Sequence, residues 1–367
     1  QPCGYNLLQD KILKLNTYVV DVDESYNIVK LSIKLLKLYY RKGWIIMKKL
    51  YFLLFCICLV AQGNAQERQN YRQDMRNFVQ GISAYAKAIR PNFVVIPQNG
   101  QELLTENGED SGIPVSDYLK AIDAVGREDL FYGYTEENKP TPAPEQKYMM
   151  AFLDLARRNS ISVLSIDYCT TPKFVEDSYK KNFEKDYISI ATTRELDKIP
   201  SYPTTPYHAN AQNILKISQA KNFLYLINPS LFSTKEKFLQ AVRNTNYDLV
   251  VMDLFFREND PFTLAEITSL KMKQNGGKRM IFSYMSIGEA ENYRYYWQKE
   301  WLTYPPVWLD KENPNWPGNY KVKYWIAQWQ RIIFGISGSY LHRILEAGFD
   351  GVYLDIIDAF EYFENPK

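Results

Sequence analysis

Short apolar runs alternate with amphipathic stretches along this chain from residue 71 onward. Tyr71–Ile89 spaces its apolar residues at helical intervals and predicts a helix. It leads into the strand-like FVVIP at 93–97 and a turn at Gln98–Asn99–Gly100. A short helix is predicted at Ser116–Lys120 and a strand at Ala121–Val125. The loop KPTPAP (Lys139–Pro144) hands over to the helical EQKYMMAFLDLARRN, and the strand SVLSID follows. Tyr202–Tyr207 (YPTTPY) reads as a linker. Beyond it the rhythm returns, with NFLYLIN, DLVVMD, RMIFSYMSIG, VKYWIAQ and GVYLDII as strands and KEKFLQAVRN, LAEITSLKMKQNGG and SYLHRILEAGF as helices. Strands alternating with helices of this length predict βαβ units around a parallel sheet. The pattern gives eight main strands and one further candidate at Tyr187–Ala191. An α/β fold of the (β/α)8 TIM-barrel type is the first expectation, and a doubly wound open sheet the second. No glycine-rich phosphate-binding motif follows any strand, which weakens nucleotide-binding versions of the open sheet.

Acids recur where the apolar runs stop. SVLSIDYC reaches Asp167, DLVVMDLF reaches Asp253, RMIFSYMSIGEAE ends at Glu289 and Glu291, and AIDAVGRED ends at Glu128 and Asp129. GFDGVYLDIIDAF stops at Asp355, and Asp358 follows. One such acid is equally well explained as the cap of a turn or helix. The recurrence is not, and a parallel barrel presents its chemical groups at the C-terminal ends of its strands.

Composition narrows the chemistry. The 367 residues are 46% apolar, enough for one large core or two small ones. A net charge of +2, from 44 basic and 42 acidic residues without a basic stripe, argues against a nucleic-acid partner. The 29 Tyr and 7 Trp exceed what a core needs, and in polar surroundings they suit stacking on sugar rings. His208 and His342 sit in PYHAN and YLHRI and give poor support to a zinc site or a serine triad.

The segment from Met47 reads as an export signal: Lys48 and Lys49, then the apolar LYFLLFCICLVA, then QGNAQ with cleavage expected after Ala65. The apolar stretch is too short for an ordinary spanning helix, so no stable membrane insertion is expected once it is removed. Residues 1–46 have no initiator Met and read as upstream translation rather than a domain, the alternative being an amphipathic helix around Ile28–Leu38. The mature protein, 66–367, is expected to be secreted or periplasmic. Its one cysteine, Cys169, permits neither an intrachain disulfide nor a thiol metal cluster. No metal and no cofactor are expected.

FSYMSIGEAENYRYYW (Phe282–Trp297), VVMDLF and GFDGVYLDIIDAF resemble glycoside hydrolase family 114. That family is typified by endo-α-1,4-polygalactosaminidase and includes extracellular proteins once labelled cysteinyl-tRNA-synthetase-related. The resemblance runs from roughly Tyr71 to the C-terminus. In the family the stretch resembling FVVIPQNGQELL and AIDAVGREDLFY follows the YLDxxD strand, whereas here it comes first. The chain therefore reads as a circular permutation: the last three barrel strands, the linker near YPTTPY, then the first five. Barrel termini lie close together, which makes such a joining feasible. The alternative is a fragment whose N-terminal piece belongs to an unrelated copy.

The resemblance implies a secreted glycoside hydrolase that cleaves an α-linked, galactosamine-type polysaccharide with two carboxylates, which fall on Asp355 and Glu128. Glycoside hydrolysis needs one carboxyl protonated and one ionised. Asp253, Asp167, Glu289, Glu291 and Asp358 are expected near the pair, raising the proton affinity of the acid or holding the groups of an amino sugar. Glu289 and Glu291 could instead pair with Arg294 at the barrel rim. Asn99 is expected to bond a sugar hydroxyl, and Tyr284, Trp297 and Trp316 to stack on sugar rings, though Tyr284 also fits the core. The expected partner is a poly- or oligosaccharide, and the expected state a monomer. The alternative function is a non-catalytic glycan-binding protein on a degenerate barrel. The two differ in whether Asp355 and Glu128 lie together in one cleft.

Overall fold

The computed structural model describes residue 30 and residues 69–365. The chain divides into a first unit, Gln1–Gln69, and a second, Asn70–Lys367. Apart from Lys30, the expected upstream stretch and the expected export signal lie outside the described residues, and the fold below is that of the second unit.

Seven strands come first: β1 (Val94–Pro97), β2 (Ala124–Glu128), β3 (Ser162–Tyr168), β4 (Ile188–Thr192), β5 (Phe223–Tyr225), β6 (Leu249–Asp253) and β7 (Met280–Ser286). An inserted antiparallel sheet follows, made of β8 (Glu289–Glu291), β9 (Leu309–Glu312) and β10 (Asn319–Val322), and then β11 (Gly351–Asp355). The helices are α1 (Tyr71–Ile89), α2 (Ser116–Ala121), α3 (Ala143–Arg158), α4 (Pro172–Glu184), α5 (Lys235–Arg243), α6 (Leu264–Leu270), α7 (Ala327–Ile333), α8 (Tyr340–Ala347) and α9 (Phe360–Glu364).

β1, β11, β7, β6 and β5 form one parallel sheet in that order, and β2, β3 and β4 a second. Parallel bridges join the two at both seams, Gln98 to Gly126 and Ser189 to Asn222. Eight parallel strands thus follow one another around a ring in chain order, the arrangement of a (β/α)8 barrel. Closure brings first and last strands together: Val94, Val95, Ile96 and Pro97 lie opposite Gly351, Val352, Tyr353 and Leu354. Every residue of β1, β3, β4, β6 and β7 is buried. Strands covered on both faces read as continuous apolar runs for this reason. Outside them, α1 buries Met75, Phe78, Val79, Ile82 and Ala86 at helical spacing and packs against α2, α8 and α9.

Three strand assignments change. The expected strand Ala121–Val125 is displaced, because Ala121 closes α2 and β2 runs Ala124–Glu128. YISIA, the extra candidate, is β4 and a full member of the ring. VKYWIAQ is not a barrel strand: Val322 ends β10, Tyr324 and Trp325 pack with Tyr71 and Phe363, and Ala327 opens α7. A short apolar run does not by itself distinguish these states. The segment between β4 and β5, which contains YPTTPY, therefore has four ring strands on either side rather than three and five.

One device recurs at the N-terminal end of the barrel. Asp123, Asp248 and Asp350 stand immediately before β2, β6 and β11. Their carboxylates accept the N–H groups of Val95, Lys221 and Ile281 at 2.8–2.9 Å, on one neighbouring strand or just before it. Their carbonyls accept from Ser162, Met280 and Val94 on the other side. Lys87, Lys273 and Lys271 pair with the three carboxylates in turn. The Lys273–Asp248 pair, at 2.9 Å, is wholly buried, whereas Lys87–Asp123 is partly exposed. Removing one partner of a buried pair strands the other charge in the interior. Asp248→Asn is expected to cost about 3–5 kcal/mol, and Asp123→Asn within about 1 kcal/mol, read from urea unfolding of both variants. Equal losses at the two positions would show that burial does not govern this device.

Candidate active site

β11, β1 and β2 are neighbours in the ring, and each delivers one polar group to the same point. Asp355 is the last residue of β11, Glu128 the last of β2, and Gln98 follows β1 directly. The Gln98 amide nitrogen donates to Glu128 Oε2 and to Asp355 Oδ1, each at 3.0 Å. These two oxygens therefore lie at most about 6 Å apart, within reach of the spacing used by paired glycosidase carboxyls. The other end of the amide is fixed as well, because the Tyr225 hydroxyl donates to Gln98 Oε1 at 3.1 Å. With its oxygen thus engaged, the amide presents both N–H groups toward the acids.

Each carboxylate has further donors. The Tyr284 hydroxyl donates to Asp355 Oδ2 at 2.7 Å, and the Ile356 N–H to Asp355 Oδ1 at 2.8 Å. Asn99 Nδ2 donates to Glu128 Oε2 at 3.2 Å, and the Tyr168 hydroxyl donates to Glu128 Oε1. Asn99, Asp129 and Ile356, at the three strand exits, all adopt left-handed backbone, with φ of 59°, 59° and 57°. Asn and Asp tolerate this region, but a β-branched residue is strained in it. Next to the pair, the buried ring of Tyr353 lies against Gly126 and Tyr225. A Cβ at Gly126 would lie 2.0 Å from its hydroxyl, so β2 needs a glycine there.

Both acids are half-buried. Burial pushes Glu128 above the ordinary carboxylate range, and the charge of Asp355 adds to this, while the bonds from Tyr168 and Asn99 and the charge of Arg194 oppose it. Asp355 is pushed up to about 6, first by burial, with Asp358 and Glu291 adding and the bonds from Tyr284 and the Ile356 N–H opposing. Asp358, in the turn after β11, rises to about 7 through burial and the charges of Glu361 and Glu128. Carboxyls this close do not both ionise freely, and they titrate as a pair.

The other expected site residues divide. Asn99 and Asp358 lie with the pair. Tyr284 serves through its hydroxyl rather than its ring face. Asp167 does not reach the site: it is wholly buried between β3 and α4 and accepts from Phe131 N–H, Tyr132 N–H, Ser178 and Asn182. Side chains alternate along a strand, so its neighbour Tyr168 faces Glu128 and Asp167 faces the helix. Glu289 is buried in the inserted sheet with Asn313 and Lys321. Asp253 faces the barrel mouth but is held by Arg294 at 2.8 Å, and the same guanidinium holds Glu291. Arg294 thus pairs with Glu291 and Asp253, not Glu289. Trp297 packs against Tyr320 and Trp301 on the insert, and Trp316 is 60% exposed at the β9–β10 turn. Gln98 reads as a turn residue and Tyr168 and Tyr225 as parts of apolar runs, and as neutral residues none of the three carries a visible charge signal. Among the described residues no group of three or more His, Cys, Asp or Glu is arranged to hold a metal.

Comparison with known proteins bears on the half that carries Asp355. Residues 204–367 match the model of glycoside-hydrolase family GH114. The matched segment covers less than half of the chain. It contains β5, β6, β7 and β11 with Asp253, Tyr284, Arg294 and Asp355, while Gln98, Glu128 and Tyr168 stand on the strands before it. The chain is 44% identical over 156 residues to an uncharacterized protein of Methanocaldococcus jannaschii. It is 38% identical over 168 residues to one of Thermotoga maritima, and 41% over 127 residues to one of Deinococcus radiodurans. These matches span 42%, 51% and 38% of the relatives' lengths and 42%, 40% and 35% of this chain. A crystal structure of Aspergillus fumigatus Ega3 in complex with galactosamine aligns with 33% of this chain and 40% of its own, at 22% identity and a TM-score of 0.25.

The raised carboxyl has a consequence for stability. A folded-state value of about 6 against an ordinary 3.8 means that Asp355 favours the fold below about pH 4, and that this contribution is lost as pH rises through about 6. Asp355→Asn removes the loss. The variant is expected to exceed wild type by about 1–3 kcal/mol at pH 7 and to match it near pH 4, measured by chemical unfolding at both. A variant less stable than wild type at pH 7 would contradict the burial of this group.

Proposed function

We propose that this protein is a glycoside hydrolase that cleaves a galactosamine-type, α-linked polysaccharide with Asp355 and Glu128 as its two carboxyls. The observation that carries the reading is the single Gln98 amide that holds an oxygen of each, within about 6 Å of one another. Both acids are half-buried and, among the described residues, neither is locked into an ion pair with a base, which favours hydrolysis over a binding-only barrel. Their raised proton affinities suit a pair that shares one proton near neutrality, one member giving it to the leaving oxygen while the other stays ionised. The spacing is nearer that of double displacement, in which one carboxylate forms a glycosyl-enzyme and the product keeps the substrate's anomeric configuration.

The amino-sugar substrate rests on the family of residues 204–367 and on the acidic character around the pair, with Asp358 beside it. Trp316, exposed on the insert, is the proposed stacking residue for a longer chain. We also propose export, with Met47–Ala65 removed and the mature chain beginning near Gln66. No helix among the described residues is long and apolar enough to cross a membrane. The order of the segments, with the Glu128 half first, is proposed to be a permutation of the family's barrel. In a closed ring, moving the break leaves every strand's neighbours in place.

Glu128→Gln and Asp355→Asn are each expected to lower cleavage of polygalactosamine by about 10²-fold or more while leaving oligosaccharide affinity within a few-fold, because each change is nearly isosteric and removes only the ionisable proton. Proton NMR of the first-formed reducing end reads retention or inversion. Wild-type protein that binds but does not cut, or full activity in Glu128→Gln, would sink the reading. Export is checked separately by N-terminal sequencing of the protein recovered from outside the cytoplasm. Recovery of Gln1 as the first residue would refute the assigned signal.

A further inference from the structure

We propose that Arg194 is a positioning residue for Glu128, acting on it through the ring of Tyr168. This inference rests on the reading of Glu128 as one of the two working carboxyls.

Arg194 lies just beyond the end of β4, on the loop that leaves the C-terminal face of the barrel. Its guanidinium sits 4.1 Å from the centre of the Tyr168 ring. Tyr168 ends β3, is 2% exposed, and donates its hydroxyl to Glu128 Oε1. The guanidinium is itself held in place: one nitrogen donates to Asp129 Oδ1 at 2.8 Å and to the Gly133 carbonyl at 2.7 Å. The Arg194 N–H donates to Glu137. Arg194 thus ties the loop after β2, which begins at Asp129 in left-handed backbone, to the ends of β3 and β4.

The physical effect follows from the geometry. A cation over the face of a phenol is attracted by the ring, and it withdraws electron density from the hydroxyl. A stronger O–H donor bonds an ionised carboxylate better than a protonated one. Arg194 therefore lowers the proton affinity of Glu128 by two routes, its own charge and the hydroxyl of Tyr168. The groups that face Glu128 from the other elements are Gln98 and Asn99 after β1, and Asp355 and Asp358 at the end of β11. Tyr353 and Tyr225 lie below, and Asp129 follows Glu128 in the chain. Among these the acids raise the proton affinity of Glu128 and the amide donors lower it. Arg194 is a cation that opposes the acids. Its link to Asp129 also orients the turn that carries Glu128.

The test is a double-variant cycle read on Glu128 itself, so that it does not depend on having the right glycan. The full chain carrying Asp355→Asn, which removes the carboxyl that titrates as a pair with Glu128, is labelled with carbon-13 at glutamate side-chain carboxyls. The Glu128 resonance, assigned by its loss in Glu128→Gln, is followed against pH. Arg194→Gln is expected to raise the proton affinity of Glu128 by about three- to tenfold, and Tyr168→Phe to raise it as well. Adding Arg194→Gln to Tyr168→Phe is expected to do less than Arg194→Gln alone, because the shared route is already gone. Arg194→Lys, which keeps the charge, is expected to recover part of the shift. In wild-type background, the pH limb of glycan cleavage that belongs to Glu128 is expected to move upward with Arg194→Gln.

An unchanged Glu128 midpoint in a folded Arg194→Gln protein would overturn the proposal, even if activity fell. Full additivity with Tyr168→Phe would overturn the route through the ring. Absence of any cleavage by wild type would count against the hydrolase reading and leave the titration result standing on its own.

Discussion

The carboxamide of Gln98 is the contact on which the rest of the barrel mouth depends. Its side chain joins Glu128 to Asp355, while its backbone N–H donates to the Leu354 carbonyl at 2.8 Å. Gln98 also forms the parallel bridge to Gly126 that links β1 to β2, and the next N–H, of Asn99, donates to the Gly126 carbonyl at 2.9 Å. One residue thus closes one of the two thin seams of the ring and fixes the distance between the acids. Distances in the site are therefore set by strand register, which a packed barrel holds far more rigidly than a loop would. Tyr225 beneath and Tyr284 beside extend the same rigid frame, each through a hydroxyl aimed at one polar atom.

The two ends of the barrel treat charge in opposite ways. At the N-terminal end every one of the three strand-leading aspartates meets a lysine, so the charges neutralise one another and the backbone ends are capped. At the C-terminal end acids are gathered, and the Glu128–Asp355 link is a neutral amide. Gathering like charges costs stability, and functional sites are where such costs persist. The strained left-handed Ile356 belongs to the same pattern, since it brings its N–H onto Asp355.

Much of this was legible in the sequence because both levels obey simple periods. Helical spacing located α1 and α3 nearly to the residue, and apolar runs ending in acids located β6 and β11 with Asp253 and Asp355, whereas β2 begins three residues later than expected and ends at Glu128. The failures have physical causes. Asp167 reads as a site residue in the sequence because an acid near a strand end says nothing about which face it occupies. Counting inward-facing positions along Leu164, Ile166 and Tyr168 would have pointed it at the helices. VKYWIAQ reads locally as a strand because its apolar residues serve tertiary packing with Tyr71 and Phe363, a demand invisible in the local pattern. Gln98 sat in a segment that looked like a turn, and Arg194 in a loop far along the chain. Their roles come from ring closure, which joins residues that no local pattern connects.

The barrel mouth contains the same motif twice, two carboxylates and one nitrogen donor between them, and the difference between the copies is instructive. Arg294 stands between Asp253 and Glu291. Gln98 stands between Glu128 and Asp355. A guanidinium carries a full positive charge and binds both carboxylates as ion pairs. An amide offers the same N–H geometry without the charge. It can orient two acids while burial raises the proton affinity of both. A lysine or arginine at position 98 would bind the pair more tightly and would lower those proton affinities. The neutral side chain is thus the one that lets two acids be held close and still differ in protonation, which is the condition that acid–base work on a glycosidic bond requires.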